Sequence, residues 1–346
     1  MRKKQCYCVC RNNINSRFRL RSHWFIVTLV VMLTTMFWSL TISAQDSPTQ
    51  VILGTATQGG GFQLFGQNLA EVVNAADSSL EVKAIATRGS TENISLLETG
   101  KIDIGLVEGN AAHQVLANPE KSPTRLKVLF VMYPNPGMFV VQADSADRRI
   151  ADLTGKPVAF GTRNSGLRIL ATNVLDGIDL SPEQDFTPII LEKASDGPRL
   201  VLSGEVAALW GAGIGWPGFV EVANGPRGAR FIAPSTTEIQ QILTKYPHLK
   251  TMSVPANTYK GQDQAIDSVG LWSLILARPD LPDSIAYRLV GAIHQGQAAL
   301  AERLAQGQYT TLENTVENVS PENLNPGASR YFRESASGLP VSKISD

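Results

Sequence analysis

Short apolar runs alternate with amphipathic stretches along most of this chain, and the alternation starts again halfway. In the first half, the runs Val51–Leu53, Leu80–Ala86 and Ile102–Val107 predict buried strands, each followed by a helical spacing of apolar residues. A second set begins at Val158–Phe160 and leads to a long amphipathic helix predicted over Ser284–Ala305. Because strands that alternate with helices form parallel-type sheets covered on both faces, the pattern predicts an α/β fold.

The restart of the pattern predicts two lobes. We expect residues 45–143 and 268–335 to form lobe 1 and residues 144–267 to form lobe 2, followed by a flexible tail at 336–346. The chain would then pass between the lobes near Asp144–Ile150 and near Gln262–Ser268. Ligands of open α/β sheets bind beyond the carboxyl ends of the strands, so two facing lobes would enclose a cleft.

A basic N-terminal region precedes an uncharged apolar run, Trp24–Ala44. This order is typical of a secretory signal peptide, which would cover residues 1–44 with cleavage after Ala44. A run of about 20 apolar residues can also span a bilayer, so an uncleaved N-terminal anchor is the alternative. Both interpretations export the rest of the chain, because the cationic flank stays in the cytoplasm.

The exported part has a composition of its own. All three cysteines, Cys6, Cys8 and Cys10, lie in the leader, which excludes a thiol nucleophile, a disulfide framework and a zinc–thiolate site from the remainder. The leader also holds 7 of the 31 Lys+Arg and no Asp or Glu, so the remainder has a formal net charge of 24 − 31 = −7. An acidic surface does not favour nucleic-acid binding. We also find no H-E-x-x-H, P-loop or G-x-S-x-G motif, and expect no catalytic residue, cofactor or metal site.

Three loops carry the functional signal. Each runs from a predicted strand into a helix: GGGFQLFG at 59–66, RGSTEN at 88–93 and GTRNSGLR at 161–168. Free N–H groups at a helix start, together with the positive end of the helix dipole, bind anions. We therefore predict that the three loops converge on one cleft and bind a carboxylate or another anion. Any strand-to-helix turn also uses glycine and a serine cap, so each loop alone is a weak signal, and Ser90 and Ser165 are expected as helix caps.

Other candidates lie near the predicted cleft. Glu108 ends a strand, where it would receive a ligand ammonium group or remain a solvated loop charge. Trp210 and Trp216 flank a glycine-rich segment and would form either a cleft wall or core. Arg88 would pair with a ligand carboxylate or lie in solvent. The histidines at 113, 248 and 294 are expected in solvent-facing or capping positions.

Five stretches in register resemble the TAXI-type solute receptors of tripartite ATP-independent periplasmic (TRAP) transporters. They are ILGTATQGGGFQLFG, IATRGSTENISLLETGKIDIGLVEGN, IADLTGKPVAFGTRNSG, VPANTYKGQ and NLNPGASRYFRE, and they extend from about Val51 to Glu334. The resemblance implies a two-lobe periplasmic-binding-protein fold, type II-like, with a hinged cleft between the lobes. It also implies a non-enzymatic periplasmic receptor that captures a small organic anion and delivers it to the TRAP permease subunits. We expect this receptor to be a monomer.

The family motifs carry over onto specific cleft residues. The predicted ligand-binding set comprises the positions that match these motifs and three further candidates: Gly60, Gly61, Phe62, Ser90, Asn93, Glu108, Ser165, Gly166, Arg88, Trp210 and Trp216. Two departures make the cleft more apolar, since Phe62 stands where the family commonly has tyrosine and Leu167 stands where threonine is usual. We therefore expect a ligand less polar on one side than glutamate. The alternatives are a membrane-anchored sensor or adaptor with the same fold, and an enzyme on that fold.

Overall fold

The apolar runs of the sequence form the strands of two separate β-sheets. The structure is a computed structural model that describes residues 47–117 and 125–335. Its strands within these ranges are β1 (Thr49–Gly54), β2 (Leu80–Ile85), β3 (Ile104–Val107), β4 (Lys127–Pro134), β5 (Gly137–Gln142), β6 (Pro157–Thr162), β7 (Thr187–Leu191), β8 (Ala208–Ala212), β9 (Ala229–Ile232), β10 (Lys250–Val254), β11 (Ile266–Gly270) and β12 (Trp272–Ala277).

Helices connect most of these strands. They are α1 (Gly61–Ala76), α2 (Ser90–Glu98), α3 (Gly109–Leu116), α4 (Gly166–Asp176), α5 (Asp196–Ser203), α6 (Pro217–Asn224), α7 (Thr236–Lys245), α8 (Asp283–Arg303), α9 (Leu312–Asn318) and α10 (Pro326–Ser335). Short 3-10 turns lie at Ile150–Leu153, Ala305–Tyr309 and Pro321–Asn323. None of the helices in the described ranges is both long and apolar enough to cross a membrane.

The two five-stranded sheets define two lobes. The first sheet has the strand order β2-β1-β3-β12-β4, and the second has the order β7-β6-β8-β5-β9. Lobe 1 consists of the first sheet with α1–α3 and α8–α10, and lobe 2 consists of the second sheet with α4–α7 and the antiparallel pair β10–β11. Both belong to one compact unit that begins at Pro48. The predicted α/β fold with two sheet-centred lobes is therefore confirmed.

The sheets are mixed, whereas the alternation predicted parallel-type sheets. In lobe 1, β1 pairs in parallel with β2 and β3, but β12 pairs antiparallel to β3 and β4. In lobe 2, β6 pairs in parallel with β7 and β8, but β5 pairs antiparallel to β8 and β9. The antiparallel strands are β5 and β12, which directly follow the two passages between the lobes.

Both passages lie elsewhere than we predicted. The strand β5 belongs to the second sheet, so the first passage falls at Asn135–Pro136 and not at Asp144–Ile150. The apolar run Val269–Leu276 is divided between β11 and β12, so the second passage falls at Leu271 and not at Gln262–Ser268. Local sequence hides both passages, because the first resembles a hairpin turn and the second interrupts no apolar pattern.

The two passages lie side by side. The N–H of Asn135 donates to the carbonyl oxygen of Leu271 at 3.0 Å, and its side-chain Nδ2 donates to Ser273 Oγ at 2.5 Å. At Gly270 an added Cβ would lie 1.9 Å from the carbonyl oxygen of Asn135, so the second passage requires glycine there. Sequence-based expectations for the leader at 1–44 and the tail at 336–346 lie outside the described residues.

Each lobe has its own apolar core. The core of lobe 1 surrounds β4, where Phe130 packs against Phe332 of α10 with ring centroids 5.8 Å apart. The second sheet carries apolar clusters on both faces, one of which includes Phe139 and Trp210. The connecting loops are therefore positioned by two rigid scaffolds, and their relative placement depends on the contacts between the lobes.

Candidate functional site

The three loops that we predicted to converge line a single cavity between the lobes. The cavity has a volume of about 60 Å³. Its walls come from the starts of α1 and α2 in lobe 1, the start of α4 in lobe 2, and the ends of several strands. The lining residues are Ala56, Thr57, Gly60, Gly61, Phe62, Arg88, Gly89, Ser90, Glu108, Tyr133, Asn135, Gly161, Thr162, Ser165, Gly166, Leu167, Leu191, Ala194, Ala212 and Trp216.

The first turn of α1 offers backbone N–H groups to this cavity. Gly60 precedes the helix in an extended conformation and has no side chain that could cap it. The amide groups of Gly61 and Phe62 therefore have no capping partner, although such groups are normally satisfied by a side chain, water or a ligand. The positive end of the helix dipole adds to their attraction for an anion.

The start of α2 is built differently from the prediction. Gly89, and not Ser90, occupies the capping position, with a φ of 119° that a residue with a side chain rarely adopts. The Ser90 hydroxyl accepts a hydrogen bond from the N–H of Glu108 at 3.0 Å, and so connects α2 to the end of β3. The prediction of Ser90 as a helix cap was therefore wrong, because tertiary contacts gave its oxygen another donor.

Ser165 does cap its helix. Its Oγ accepts a hydrogen bond from the N–H of Leu167 at 3.2 Å, at the start of α4. The next residue, Gly166, lies against lobe 1, where an added Cβ would come within 2.5 Å of Glu108 Cβ and 2.9 Å of Ser90 Oγ. The lobes therefore touch directly at this wall of the cavity, and the contact leaves no room for a side chain.

Glu108 is a buried carboxyl group at the cavity wall, only 1% exposed. Its two carboxylate oxygens accept hydrogen bonds from the backbone N–H and the side-chain Nδ2 of Asn110, each at 2.9 Å. Burial nevertheless dominates and raises the pKa of Glu108 to about 7, because a charged carboxylate loses its hydration there. The alternative of a solvated loop charge was therefore wrong for this residue.

Asn110 extends this network into lobe 2. Its Oδ1 accepts a hydrogen bond from Asn173 Nδ2 of α4 at 3.1 Å and lies 3.4 Å from His248 Nε2. The ring of His248 stacks on His113 of α3, with centroids 4.3 Å apart and planes 3° from parallel. The expected solvent-facing or capping roles of these two histidines were wrong, since the rings contact each other between the lobes.

Further hydrogen bonds join the lobes around the cavity. The N–H and the hydroxyl of Thr91 both donate to the carbonyl oxygen of Asn164, at 3.3 and 3.1 Å. On the α1 side, the N–H of Ala194 donates to Thr57 Oγ1 at 3.3 Å, and the N–H of Ser195 donates to the carbonyl oxygen of Gln58 at 3.3 Å. The structure thus has the lobes closed over the cavity.

Aromatic and aliphatic side chains form the apolar wall. Phe62 meets Tyr133 edge to face, with centroids 6.4 Å apart, and Phe65 packs on the other side of Tyr133 at 5.3 Å. Trp216 lines the cavity from lobe 2 and is 6% exposed. Leu167, Leu191 and Ala212 complete this wall.

Two of the predicted site residues lie outside the cavity. Asn93 is fully buried, and its Nδ2 donates to the carbonyl oxygens of Thr55 and Leu106, both at 2.8 Å, so it joins neighbouring strand ends. Trp210 is also fully buried within β8, packs on Phe139 and donates through Nε1 to the carbonyl oxygen of Leu167 at 2.8 Å. Both residues support the site from behind its walls. The other predicted residues line the cavity, but their contact with a ligand remains a prediction.

Arg88 lines the mouth of the cavity, and most of its side chain faces solvent. Its side chain is 75% exposed, and its Nε lies 3.3 Å from a carboxylate oxygen of Glu92. Among the described residues that line the cavity, Arg88 and Glu108 are the two with charged side chains. In the described part of the chain, no group of three or more His, Cys, Asp or Glu side chains could hold a metal ion.

Sequence reasoning missed Tyr133 and Asn135. Both lie at the carboxyl end of β4, Tyr133 within the strand and Asn135 directly after it. Tyr133 is 2% exposed, and its hydroxyl has no hydrogen-bond partner within the described residues. Burial raises the pKa of this hydroxyl, so the group stays protonated and acts as a donor. The rule that ligands bind beyond strand ends points to this end of β4, but not to the Tyr133 hydroxyl in particular.

The fold and the cavity together define a two-lobe α/β protein of the periplasmic-binding-protein type. Residues 53–335 match the model of the NMT1-like family, and the chain belongs to this family. The match supports the coarser part of the resemblance that we drew from the sequence, a solute-binding-protein fold.

The chain is also similar to several solved structures at low identity. The chain is similar to the periplasmic aliphatic sulphonate binding protein SsuA from Escherichia coli, with 16% identity and a TM-score of 0.44 over 86% of this chain and 82% of that one. A protein from Bordetella bronchiseptica RB50 has 14% identity and a TM-score of 0.51 over 86% and 92% of the two chains. A putative L-cystine ABC transporter from Listeria monocytogenes has 13% identity and a TM-score of 0.48 over 76% and 98%. The Bordetella bronchiseptica match, with a TM-score of 0.51 and 14% identity, shows similarity of fold alone.

Proposed function

We propose that the protein is an extracytoplasmic receptor that binds a small organic anion between its lobes and delivers it to a membrane transporter of the TRAP type. One observation carries the proposal: helix starts from both lobes meet at one cavity, and the start of α1 leaves its first amide groups without a capping partner. Such groups favour a carboxylate by hydrogen bonding and by the helix dipole. The matches between the sequence motifs and the TAXI-type receptors support the TRAP assignment and a periplasmic location.

Binding in this cavity would couple the ligand to lobe closure. The amides at the start of α1 come from lobe 1, whereas the capped start of α4 comes from lobe 2. A ligand that contacts both would stabilise the closed arrangement, in which Thr91 and Asn164 also join the lobes. We propose that the permease recognises this closed shape, as expected of a receptor that hands over its cargo.

We further propose that the ligand leaves chemically unchanged. The hydroxyl oxygens of Ser90 and Ser165 both accept backbone hydrogen bonds, from Glu108 and Leu167. Among the described lining residues there is no histidine that could act as a base for either hydroxyl. Turnover of a bound acid, detected by mass spectrometry of the recovered ligand, would contradict this part of the proposal.

The test is a binding and transport experiment. Protein made from the full-length chain is screened by thermal shift against carboxylates and amino acids, since a ligand at about 100 times its Kd stabilises by about 2.7 kcal/mol. Uptake of the best radiolabelled acid is then measured in vesicles that hold a TRAP permease, with and without the receptor. Binding that never supports uptake would refute delivery and favour the sensor alternative. An absence of binding by every anion would refute the receptor itself.

A further inference from the structure

We infer that the ligand is a short-chain monocarboxylate whose carboxylate is held by the Tyr133 hydroxyl and the first amide groups of α1. This inference rests on the proposed receptor function and narrows its ligand from organic anions in general to one class. Three features of the cavity carry it: an unpartnered buried donor, the distribution of charge, and the available volume.

The donor is the Tyr133 hydroxyl. The residue is 98% buried, it lines the cavity, and its hydroxyl makes no hydrogen bond with any described residue. Buried hydroxyls are nearly always hydrogen-bonded, because an unsatisfied one loses its hydration without compensation. The rings of Phe62 and Phe65 pack around Tyr133 and fix the direction of the phenol. The group is therefore a preorganised donor for something inside the cavity.

The hydroxyl and the α1 amides point to the same place. A Cβ added to Gly61 would lie 3.4 Å from Tyr133 Oη and 2.9 Å from Trp216 Cδ1, so the helix start, the phenol and the indole adjoin one small space. Gly61 is the first residue of α1, where no side chain caps the amide groups. A carboxylate has two oxygens and can accept hydrogen bonds from both kinds of donor at once.

The charges argue against a second carboxylate on the ligand. Glu108 is the buried charged side chain of the cavity wall, and its ionised form would repel another anionic group. Arg88 is mostly exposed and already paired with Glu92, so it supplies little positive charge inside. The rest of the ligand would instead meet Phe62, Leu191 and Trp216. One negative end and an apolar remainder fit these surroundings.

The volume limits the length of that remainder. A cavity needs at least about 10–15 Å³ of such space to hold one water, so a cavity of about 60 Å³ has room for only a few waters. A ligand that displaces those waters has a similar number of non-hydrogen atoms, as acids such as propionate and lactate do. Succinate and glutamate exceed this size and bring a second carboxylate. Both the size and the charge of the cavity therefore favour a short monocarboxylate over a larger dicarboxylate.

Isothermal titration calorimetry on protein from the full-length chain tests the inference. The probes are propionate, lactate, succinate, glutamate and the neutral propionamide. We expect propionate or lactate to bind at least about tenfold more tightly than the two larger acids, and propionamide to bind much more weakly than propionate. Tyr133→Phe should weaken binding of the preferred acid by at least about tenfold, as loss of a hydrogen bond to a charged group does.

The control variant is Tyr309→Phe, which removes a half-buried phenol outside the cavity and should leave the affinity within about twofold. Succinate or glutamate binding as tightly as the short acids would overturn the inference and leave the receptor function intact. Unchanged affinity in Tyr133→Phe would also overturn it. If that variant does not fold, the series of acids on the unmodified protein still decides. If none of the acids binds, the inference fails, and the wider thermal-shift screen decides whether the proposed function fails as well.

Discussion

Replacing Glu108 by glutamine should stabilise the protein at neutral and alkaline pH and change little in acid. Glutamine resembles the protonated carboxyl group and can still accept a hydrogen bond from Asn110. Burial raises the pKa of Glu108 from an ordinary value of 4.5 to about 7. At about 1.36 kcal/mol per pKa unit, this rise of 7 − 4.5 = 2.5 corresponds to about 3 kcal/mol.

The sign follows from proton linkage. Because the pKa is higher in the folded state, the folded protein binds this proton more tightly than the unfolded chain does. Stability from Glu108 therefore falls as pH rises from about 4.5 to about 7, and stays constant above that. Glutamine has no such dependence. The gain in the free energy of unfolding for Glu108→Gln should be less than about 1 kcal/mol at pH 5 and about 3 kcal/mol at pH 8.

Urea unfolding of both proteins at pH 5, 6, 7 and 8 measures this difference. The control is Glu302→Gln, an exposed position on α8, which should change the free energy of unfolding by no more than about 0.5 kcal/mol at any pH. Taking the difference between variant and parent removes the titration of all other groups. A gain that does not vary with pH, or a loss of stability at pH 8, would refute the reasoning that the buried, ionised Glu108 lowers the free energy of unfolding.

Three other substitutions test the site and its walls. Gly61→Ala places a Cβ 2.9 Å from Trp216 Cδ1 in the cavity, so carboxylate affinity measured by calorimetry should fall at least about tenfold; unchanged affinity would mean that the ligand lies elsewhere. Asn173→Ala removes the hydrogen bond to Asn110, and the free energy of unfolding from urea titration should fall by about 1 kcal/mol with weaker ligand binding. Trp210→Phe should destabilise by about 1–3 kcal/mol in the same assay but leave ligand selectivity intact, and an altered selectivity would contradict its place behind the wall.

The sequence was most informative where structure is local. Glycine and serine at a strand-to-helix turn indicate a helix start from a few adjacent residues, and all three such loops line the cavity. The predicted strand runs Val51–Leu53, Leu80–Ala86 and Ile102–Val107 also coincide with β1, β2 and β3 to within about two residues at each end. These features depend on residues that are close along the chain, so one sequence without relatives is enough to find them.

Features that depend on distant residues could not be predicted in this way. Asn93 occupies a loop motif, but its side chain bonds to strand ends about 13 and 38 residues away. Tyr133 lies in the apolar strand β4, with no local sign that its hydroxyl faces a cavity. The same holds for His113 and His248, which meet only because the lobes close. Tertiary packing determines the contacts of each of these side chains. The pattern of residues that are adjacent in sequence contains no information on that packing.

The stacked histidines give the closed state a second response to acid, opposite to that of the carboxyl group. Burial lowers the pKa of both His113 and His248, and the nearby His113 lowers that of His248 further, so the rings favour the neutral form in which they stack. Acidification would place two imidazolium charges against each other between the lobes, while the buried Glu108 carboxylate becomes neutral. A mildly acidic environment would thus weaken the contact between the lobes and, by neutralising Glu108, make the cavity more favourable for an anion. Lobe closure and anion affinity would therefore depend on different titrating groups.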